Sequence, residues 1–309
     1  MIEILLSTYN GENHIKELIL SILNQTYTDW RLIIRDDVSN DSTLQIIEYF
    51  KKKYPDKITL METDNDHLGP VLSFGRLLGH SQADYISLCD QDDIWMPDKL
   101  EILFHNLSIK EKQTSKDLPI LVHSDLQVCN ENMEKIADSF WKYQNLDPEK
   151  MKDIRCLLVQ NFVTGCTLMI NKALLEKALP IPCQTLMVDW WLALLAQQTG
   201  EILTINIPLV KYRQHGNNVI GARKWGRIKL KPKELFKKIN SYKGFVKMTG
   251  VQAGVLLNYI PHKTAKDIDL IAQYSKLYDK PWIIKKVLYI SLGIKKYGWV
   301  RQILTWCCV

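Results

Sequence analysis

The sequence has no long apolar run and no regularly spaced cysteines. A membrane-spanning helix needs about 18 or more predominantly apolar residues in a row, and no such stretch occurs in the 309 residues. The seven cysteines form no C-x-x-C pair, and an odd number does not complete a disulfide framework. The chain opens with an apolar segment that lacks a basic leader region, so no signal peptide is expected. These absences favour a cytoplasmic protein with reduced thiols.

Acidic residues are scarce towards the carboxyl terminus. Residues 222–309 contain 19 Lys and Arg against four Asp and Glu, a net charge of +15. The other 221 residues contain 21 against 30, a net charge of −9. An acidic body with a basic tail is typical of a metal-using domain joined to an element that meets anions, such as lipid headgroups or nucleic acid.

Strand-like and helix-like segments alternate in the first hundred residues. Apolar runs typical of buried strands occur at 2–7, 30–34, 58–61 and 85–89. Apolar residues at helical spacing occur between them, at 14–23, 44–50 and 70–78. This alternation predicts an α/β fold with a mostly parallel sheet flanked by helices.

Three of the predicted strands end in polar loops. The loops are Ser7-Thr-Tyr9, Asp36-Asp37 and Asp90-Gln-Asp-Asp93. Ligands of parallel sheets bind outside the carboxyl ends of the strands, and clustered carboxylates repel one another unless a cation or donors lie between them. The arrangement predicts a metal and nucleotide diphosphate site. For the last loop, the alternative is a solvated acidic turn. An Asp-Asp pair at a strand end, such as Asp36-Asp37, is also typical of the acid pocket of a response-regulator receiver domain, but the chain lacks the lysine that such a pocket has at a later strand end.

The loops and several later segments resemble family 2 glycosyltransferases of the GT-A fold. The early motifs are Leu5-Leu-Ser-Thr-Tyr-Asn-Gly11, Ile34-Arg-Asp-Asp37 and Cys89-Asp-Gln-Asp-Asp-Ile-Trp95. Later segments look like bacterial rhamnosyltransferases that build rhamnose-rich cell-wall polysaccharides; they are His123-Ser-Asp-Leu126, Asn161-Phe-Val-Thr-Gly-Cys166, Asp189-Trp-Trp191 and Tyr212-Arg-Gln-His-Gly-Asn-Asn-Val-Ile-Gly221. The resemblance covers residues 1–221 well and the tail only loosely.

The resemblance implies a role for each matching residue. Ser7 belongs to the nucleotide loop, Tyr9 matches the aromatic residue that stacks on the pyrimidine, and Asp37 matches the acceptor of its N3–H. Asp90 matches an acid near the ribose or the metal-bound water. Asp92 matches the direct ligand of Mg²⁺ or Mn²⁺.

The later motifs supply the catalytic and closing residues. Asp189 matches the base that deprotonates the acceptor hydroxyl, although Val188 stands where related sequences usually have a histidine. Arg213 matches a residue that closes over the pyrophosphate, and His215 is a candidate third metal ligand. A single base on the face opposite the leaving group implies inversion of the sugar configuration.

The implied function is an inverting, metal-dependent transfer of L-rhamnose from dTDP-β-L-rhamnose to a polyprenyl-linked saccharide. Three alternatives stay open: a UDP-sugar donor, a sugar nucleotidyltransferase, and a non-catalytic module that binds nucleotide sugars. A nucleotidyltransferase needs a glycine-rich basic loop after the first strand, and the chain has only Tyr9-Asn-Gly-Glu12 there.

Residues 1–221 are predicted to form the catalytic domain, with 1–107 as the nucleotide-binding half and 108–221 as the acceptor-binding half. Residues 222–309 are predicted to form basic amphipathic helices that lie on the anionic inner face of the membrane. The alternative is a helical bundle that packs on the catalytic domain. Nucleic acid is not expected as a partner, because no recognised motif accompanies the charge. The sequence leaves the oligomeric state open, a homo-oligomer included.

Overall fold

The computed structural model describes residues 1–62, 66–216, 232–260 and 265–309, without the side chains of 232–240, 265–266 and 300. The predicted boundary after residue 221 lies outside these ranges, as does the end of the motif that begins at Tyr212. The lysines at 229 and 231 lie outside them too, so that part of the predicted basic tail stays a prediction.

In the described part of the chain, nine strands form a single sheet. Its order is β3-β2-β1-β4-β8-β6-β9-β5, with β7 paired to β6. The strands are β1 (Ile2–Thr8), β2 (Trp30–Asp36), β3 (Ile58–Leu60), β4 (Tyr85–Cys89), β5 (Ile94–Trp95), β6 (Ile120–Cys129), β7 (Lys135–Ala137), β8 (Leu168–Asn171) and β9 (Glu201–Arg213).

Helices flank the sheet and form the carboxyl-terminal part of the described chain. They are α1 (Ile15–Leu23), α2 (Thr43–Lys53), α3 (Gly69–His80), α4 (Lys99–Gln113), α5 (Phe140–Gln144), α6 (Pro148–Met151), α7 (Ile154–Leu157), α8 (Lys172–Ala178), α9 (Val188–Thr199), α10 (Pro232–Leu256), α11 (Ala265–Ser275), α12 (Trp282–Ser291) and α13 (Trp299–Cys308). Among the described residues, no helix combines the length and the apolar content that crossing a bilayer requires.

The parallel arrangement expected of the first four strands is confirmed. β1 lies between β2 and β4 and pairs with both in parallel, with Thr8 opposite Asp36 and Leu6 opposite Cys89. The apolar residues of these strands alternate between the two faces of the sheet, and on both faces they are buried in the core. This register brings the ends of the three strands, and therefore their polar loops, to one edge of the sheet.

The second half of the sheet is mixed rather than parallel. β8 pairs antiparallel with both β4 and β6, and β9 then runs parallel to β6. The alternation of strands and helices that predicted a parallel sheet ends at β4, because β5 follows almost at once and β6 and β7 form an antiparallel pair.

The described carboxyl-terminal helices pack against the part of the chain that precedes residue 217. Gln252 of α10 accepts a hydrogen bond from Leu186 N at 2.8 Å, and the Phe245 ring stacks on Trp190 with centroids 6.0 Å apart. Tyr297, between α12 and α13, donates its N–H to Gln160 Oε1 at 2.9 Å. Packing of these helices on the preceding part of the chain is therefore observed, and it leaves the outer faces of α12 and α13 exposed.

Candidate active site

One cavity brings most of the predicted site residues together. Its volume is about 910 Å³, and its wall includes the loops that follow β1, β2 and β4. Seven of the eight predicted residues line it: Ser7, Tyr9, Asp37, Asp90, Asp92, Asp189 and His215. Arg213 is not part of the wall.

Tyr9 follows β1 and lines the cavity. Its side chain is 44% exposed, and its ring centroid lies 4.4 Å from that of His67. The exposure excludes core packing for Tyr9 and leaves an aromatic face available for a base. Ser7 Oγ lies 2.6 Å from Ser73 Oγ, so the end of β1 is tied to α3.

Asp37 is buried beneath this loop, and protein donors already contact its oxygens. Oδ1 accepts from the Arg35 guanidinium at 2.5 Å and from Leu68 N at 2.9 Å, while Oδ2 accepts from Gly69 N at 2.8 Å. Burial alone would raise the pKa of the Asp37 carboxyl, but these donors hold it below its usual value. Asp37 is thus an ionised carboxylate in the cavity wall, and its contact with a pyrimidine stays a prediction.

Asp92 and His215 meet across 123 positions of the chain. His215 Nε2 lies 2.7 Å from Asp92 Oδ2, and the His14 ring lies 5.2 Å from the His215 ring. Burial, followed by the charges of Arg213 and His215, lowers the pKa of His14, which favours its neutral imidazole. A carboxylate oxygen and an imidazole nitrogen in one wall are ligands of the kind that a divalent cation accepts.

Two more acids lie beside Asp92. Oxygens of Asp90 and Asp93 and the sulfur of Cys166 lie within 4.8 Å of one another. Burial, followed by neighbouring carboxylates, raises the pKa of Asp90 to about 7 and that of Asp93 well above its usual value. Asp93 and Cys166 are buried. Asp90 and Asp92 line the cavity while Asp93 and Cys166 are buried next to them, so the acidic loop is not a solvated turn.

A buried lysine lies under this cluster. Lys99 Nζ donates to Cys166 O at 2.7 Å and lies 3.0 Å from the centroid of the Trp95 ring. Burial lowers the pKa of Lys99 to about 7, while nearby Cys89, Cys166 and the two acids oppose that change. The sequence carries no signal for this role, because a lysine in the first turn of a helix is ordinarily exposed.

Arg213 braces the acidic loop from behind. Its Nε donates to Asp92 O at 3.0 Å, its Nη1 donates to Glu131 O at 2.7 Å, and its Nη2 is paired with Glu17. Its backbone N–H donates to Asp93 Oδ1 at 3.2 Å. These contacts connect Arg213 to the acidic loop, and its predicted closure over the pyrophosphate stays a prediction.

Asp189 lies in the first turn of α9, which two buried tryptophans anchor. Trp190 Nε1 donates to Leu157 O at 2.6 Å, and Trp191 Nε1 donates to Ala178 O at 3.2 Å. Neighbouring Val188 is buried and offers no imidazole. The helix start is therefore fixed, and the carboxylate reaches the cavity from a different element than the acidic loop.

Burial raises the pKa of Asp189 to about 6. Hydrogen bonds from Trp190 N, Gly165 N and the Asn161 side chain limit the rise. The Trp190 bond is 2.6 Å long and reaches Oδ1. A carboxylate with a pKa near 6 remains ionised at neutral pH and is a better base than an ordinary aspartate.

Sequence reasoning missed residues that hold the site together. Gln91 exchanges two hydrogen bonds with the backbone of Tyr9, and Arg301 enters the cavity wall from α13. In the sequence, the one feature that could have indicated this role of Gln91 is its position between Asp90 and Asp92. Another part of the cavity wall combines aromatic and aliphatic side chains with amides, a mixture suited to a ligand with apolar faces and polar groups. Its members include Phe140, Gln144, Leu146, Gln160, Asn161, Phe162 and Tyr212.

Two similar sequences come from bacteria. The chain is 28% identical to the dTDP-rhamnosyl transferase RfbG of Shigella flexneri, over 70% of this chain and 74% of that protein. It is 25% identical to an uncharacterized glycosyltransferase of Rickettsia typhi, over 99% of this chain and 96% of that protein.

Solved structures share the fold. TarS of S. aureus in complex with UDP-GlcNAc has a TM-score of 0.56 at 15% identity, over 94% of this chain and 79% of that one. The mannosyltransferase PcManGT of Pyrobaculum calidifontis, in complex with GDP-Man and Mn²⁺, has a TM-score of 0.54 at 15% identity, over 94% and 72%. The fold is that of the GT-A glycosyltransferases. The sequence model of Glycosyl transferase family 2 matches residues 3–179, more than half of the chain, and the chain therefore belongs to that family.

Proposed function

We propose that this glycosyltransferase is an inverting, divalent-metal-dependent enzyme that transfers L-rhamnose from dTDP-β-L-rhamnose to a lipid-linked saccharide. The observation that carries the proposal is one cavity with two separate acidic elements. Asp92 and His215 form one element of the cavity wall. Asp189, on α9, forms the other, and burial raises its pKa to about 6.

Asp92 and His215 are the residues that would hold the metal. A bound divalent cation supplies Lewis acidity that neutralises the negative charge developing on the departing nucleotide diphosphate. An imidazole beside the carboxylate favours Mn²⁺ over Mg²⁺, because hard Mg²⁺ prefers oxygen ligands. PcManGT was solved in complex with GDP-Man and Mn²⁺, which supports this choice.

The chain's own residues perform the remaining steps. Tyr9 offers a ring face to the base, and Asp90 accepts a hydrogen bond from a ribose hydroxyl. Asp189 accepts the proton of the acceptor hydroxyl as that oxygen attacks the anomeric carbon from the side opposite the leaving group. A single displacement inverts the configuration, so a β-linked donor gives an α-rhamnoside.

The donor assignment rests on the likeness of the early and later motifs to rhamnosyltransferases and on the name of the Shigella relative. The structure of TarS is named for its complex with UDP-GlcNAc, so a UDP-sugar is the donor to test against dTDP-rhamnose. The proposed acceptor is polyprenyl-linked, which places the work of the enzyme at the inner face of the membrane.

One assay separates these donors. The protein is incubated with Mn²⁺ or Mg²⁺ and a panel of dTDP-, UDP- and GDP-sugars, and release of nucleotide diphosphate is measured. We expect turnover of dTDP-rhamnose that EDTA abolishes. Turnover of UDP-sugars without turnover of dTDP-rhamnose would show that the rhamnosyl assignment is wrong, and unchanged turnover in Asp189→Asn would show that this carboxylate is not the base.

A further inference from the structure

The outer face of α12 is apolar and exposed. Trp282 and Ile283 are 65% and 66% exposed, and Val287 and Ile290 are exposed on the same side. Successive helix residues are rotated by about 100°, which places these four within one side of the helix. Tyr289, at the edge of this side next to Trp282, is buried. A face of four large exposed apolar residues is unusual for a surface in water.

α13 repeats the pattern over its own length. Trp299 is 75% exposed, and Ile303 and Trp306, four and seven positions later, are exposed on the same face. Thr305 and Cys308 lie on the opposite face and are buried. The helix therefore has one face for the protein and one apolar face directed away from it.

Lys286 joins the two faces into one surface. Its Nζ donates to Trp306 O at 2.8 Å and lies 4.0 Å from the centroid of the Trp306 ring. The same Nζ lies 5.6 Å from the centroid of the Trp282 ring. We call the exposed residues of α12 and α13 with Lys286 the α12–α13 face.

The charges around this face indicate what covers it. Residues 280–309 contain six Lys and Arg and no Asp or Glu. Three of the six, Lys280, Lys285 and Lys286, belong to α12 or to the residues just before it. The other three point elsewhere: Lys295 is paired with Asp153, Lys296 lies over the Tyr242 ring, and Arg301 lines the cavity. A second copy of the chain would bring the same positive charge to the contact and would be repelled. Exposed tryptophans, aliphatic side chains and lysines together are the composition of helices that lie in the interface of an anionic bilayer.

We propose that the α12–α13 face docks on an anionic lipid bilayer, with tryptophan and isoleucine side chains inserted among the acyl chains and lysines at the phosphates. The proposal deepens the proposed function by naming the surface through which the enzyme meets its lipid-linked acceptor, and in that respect it rests on that function. It narrows the predicted membrane contact from the whole of residues 222–309 to two helices.

The inner side of α13 connects the docking face with the cavity. Arg301 lies on the side of α13 away from Trp299 and lines the cavity, where its Nη2 donates to Gln144 O at 2.6 Å. An α-helix with its side chains is about 10 Å across. Docking through the outer face therefore holds the acceptor half of the cavity about one helix diameter from the lipid headgroups.

Vesicle flotation tests the surface directly. The full chain is mixed with phosphatidylcholine vesicles that contain 30% or no phosphatidylglycerol (on the order of physiological anionic content), and the floated fraction is measured. We expect binding to the anionic vesicles that falls at least tenfold in the variant Trp282→Ser/Ile283→Ser/Trp299→Ser/Ile303→Ser. These side chains are exposed, so the variant should retain its thermal unfolding midpoint.

A matched control removes apolar side chains that are exposed elsewhere. Tyr49→Ser/Ile207→Ser changes two exposed residues of α2 and β9, and we expect it to float like the unchanged chain. Flotation of the four-site variant at the unchanged level overturns the proposal. So does a four-site variant that turns from dimer to monomer in light scattering, because a second copy would then cover the face.

Activity separates failure of the surface from failure of the function. If the chain floats but releases no nucleotide diphosphate from any donor, the surface stands and the proposed function fails. If it transfers sugar to a water-soluble acceptor but does not float, the function stands and the surface fails. With both correct, the four-site variant keeps its activity on the water-soluble acceptor and loses activity on a polyprenyl-linked acceptor held in vesicles.

Discussion

Gln91 and Tyr9 exchange two hydrogen bonds although 82 positions separate them. Tyr9 N donates to Gln91 Oε1, and Gln91 Nε2 donates to Tyr9 O, both at 2.9 Å. The amide of Gln91 thus pairs with the backbone after β1 as another peptide group would. This pairing fixes the aromatic nucleotide loop relative to the acidic loop that contains Asp90 and Asp92.

The side chain of Gln91 leaves no room for a Cβ atom at position 11. A methyl group added at Gly11 would lie 2.5 Å from Gln91 Oε1, which is too close for any real contact. We expect Gly11→Ala to displace the amide and weaken binding of nucleotide diphosphate about tenfold, since two hydrogen bonds of about 1 kcal/mol each would be disturbed. Isothermal titration with dTDP and UDP measures the effect.

The double variant distinguishes the glutamine contact from a general defect of the loop. Gln91→Ala alone should weaken binding by a similar factor, because it removes both hydrogen bonds. In Gly11→Ala/Gln91→Ala the methyl group has room, so the two changes together should cost little more than Gln91→Ala alone. Additive losses would show that Gly11 is needed for a reason other than Gln91.

Asp189 should control the dependence of the rate on pH. Its pKa is raised to about 6, so it is protonated below that pH and cannot accept the proton of the acceptor. We expect kcat/KM to fall as the pH decreases below about 6 and to level off above it. Asp189→Asn should lower kcat by about 10²- to 10⁴-fold, the usual contribution of a general base, and leave the dissociation constant of the nucleotide diphosphate unchanged. A decrease in kcat/KM that persists in Asp189→Asn would assign the titration to another group.

The same carboxylate should make the fold less stable at high pH. The folded state raises the pKa of Asp189 from its ordinary 3.8 to about 6, so folding favours the protonated form. Above pH 6 the ionised group must remain buried, at a cost of at most about 3 kcal/mol. Asp189→Asn should therefore unfold at a higher urea concentration than the unchanged chain at pH 8. The difference should shrink as the pH falls from 6 towards 4, and a constant difference would contradict the assignment.

The acidic loop and the early strands were predictable because their signals are local. Asp90, Asp92 and Asp93 follow one apolar run, and the alternation around them placed that run in a parallel sheet. The partner of Gln91 was not predictable, since no pattern along the chain connects positions 91 and 9. The contacts of Arg213 with Glu17, Glu131 and the acidic loop were not predictable for a related reason: its motif indicates the site, but only the fold shows which residues surround its guanidinium.

The carboxyl-terminal helices show a second limit of pattern reasoning. Periodicity and charge predicted amphipathic helices that either lie on a membrane or pack on the catalytic part. The structure shows that one helix can pack on the protein and still present another face to a membrane, because Arg301 and Trp299 lie on different sides of α13. A helical pattern gives the faces of a helix but not the partner of each face.

Lys99 should be needed for metal binding without contacting the metal. Its buried ammonium lies under Asp90 and Asp93 and attracts their ionised forms, which the surrounding burial disfavours. Replacing it with methionine keeps the length of the side chain and removes the charge. We expect Lys99→Met to fold and to weaken Mn²⁺ binding about 10- to 100-fold, a loss typical of residues that support metal ligands.

Lys110→Met is the matched control for this prediction. Lys110 lies on the same helix, and its Nζ is paired with Glu201 at 2.7 Å. The substitution is therefore the same, but it removes a surface ion pair, which contributes at most about 1 kcal/mol to stability. Electron paramagnetic resonance of free Mn²⁺ measures both dissociation constants near pH 7. Because the ammonium acts on the acids through its charge, Lys99→Met should weaken Mn²⁺ binding while Lys110→Met leaves it unchanged. Equal affinities in the two variants would show that the acids are ionised without help from Lys99.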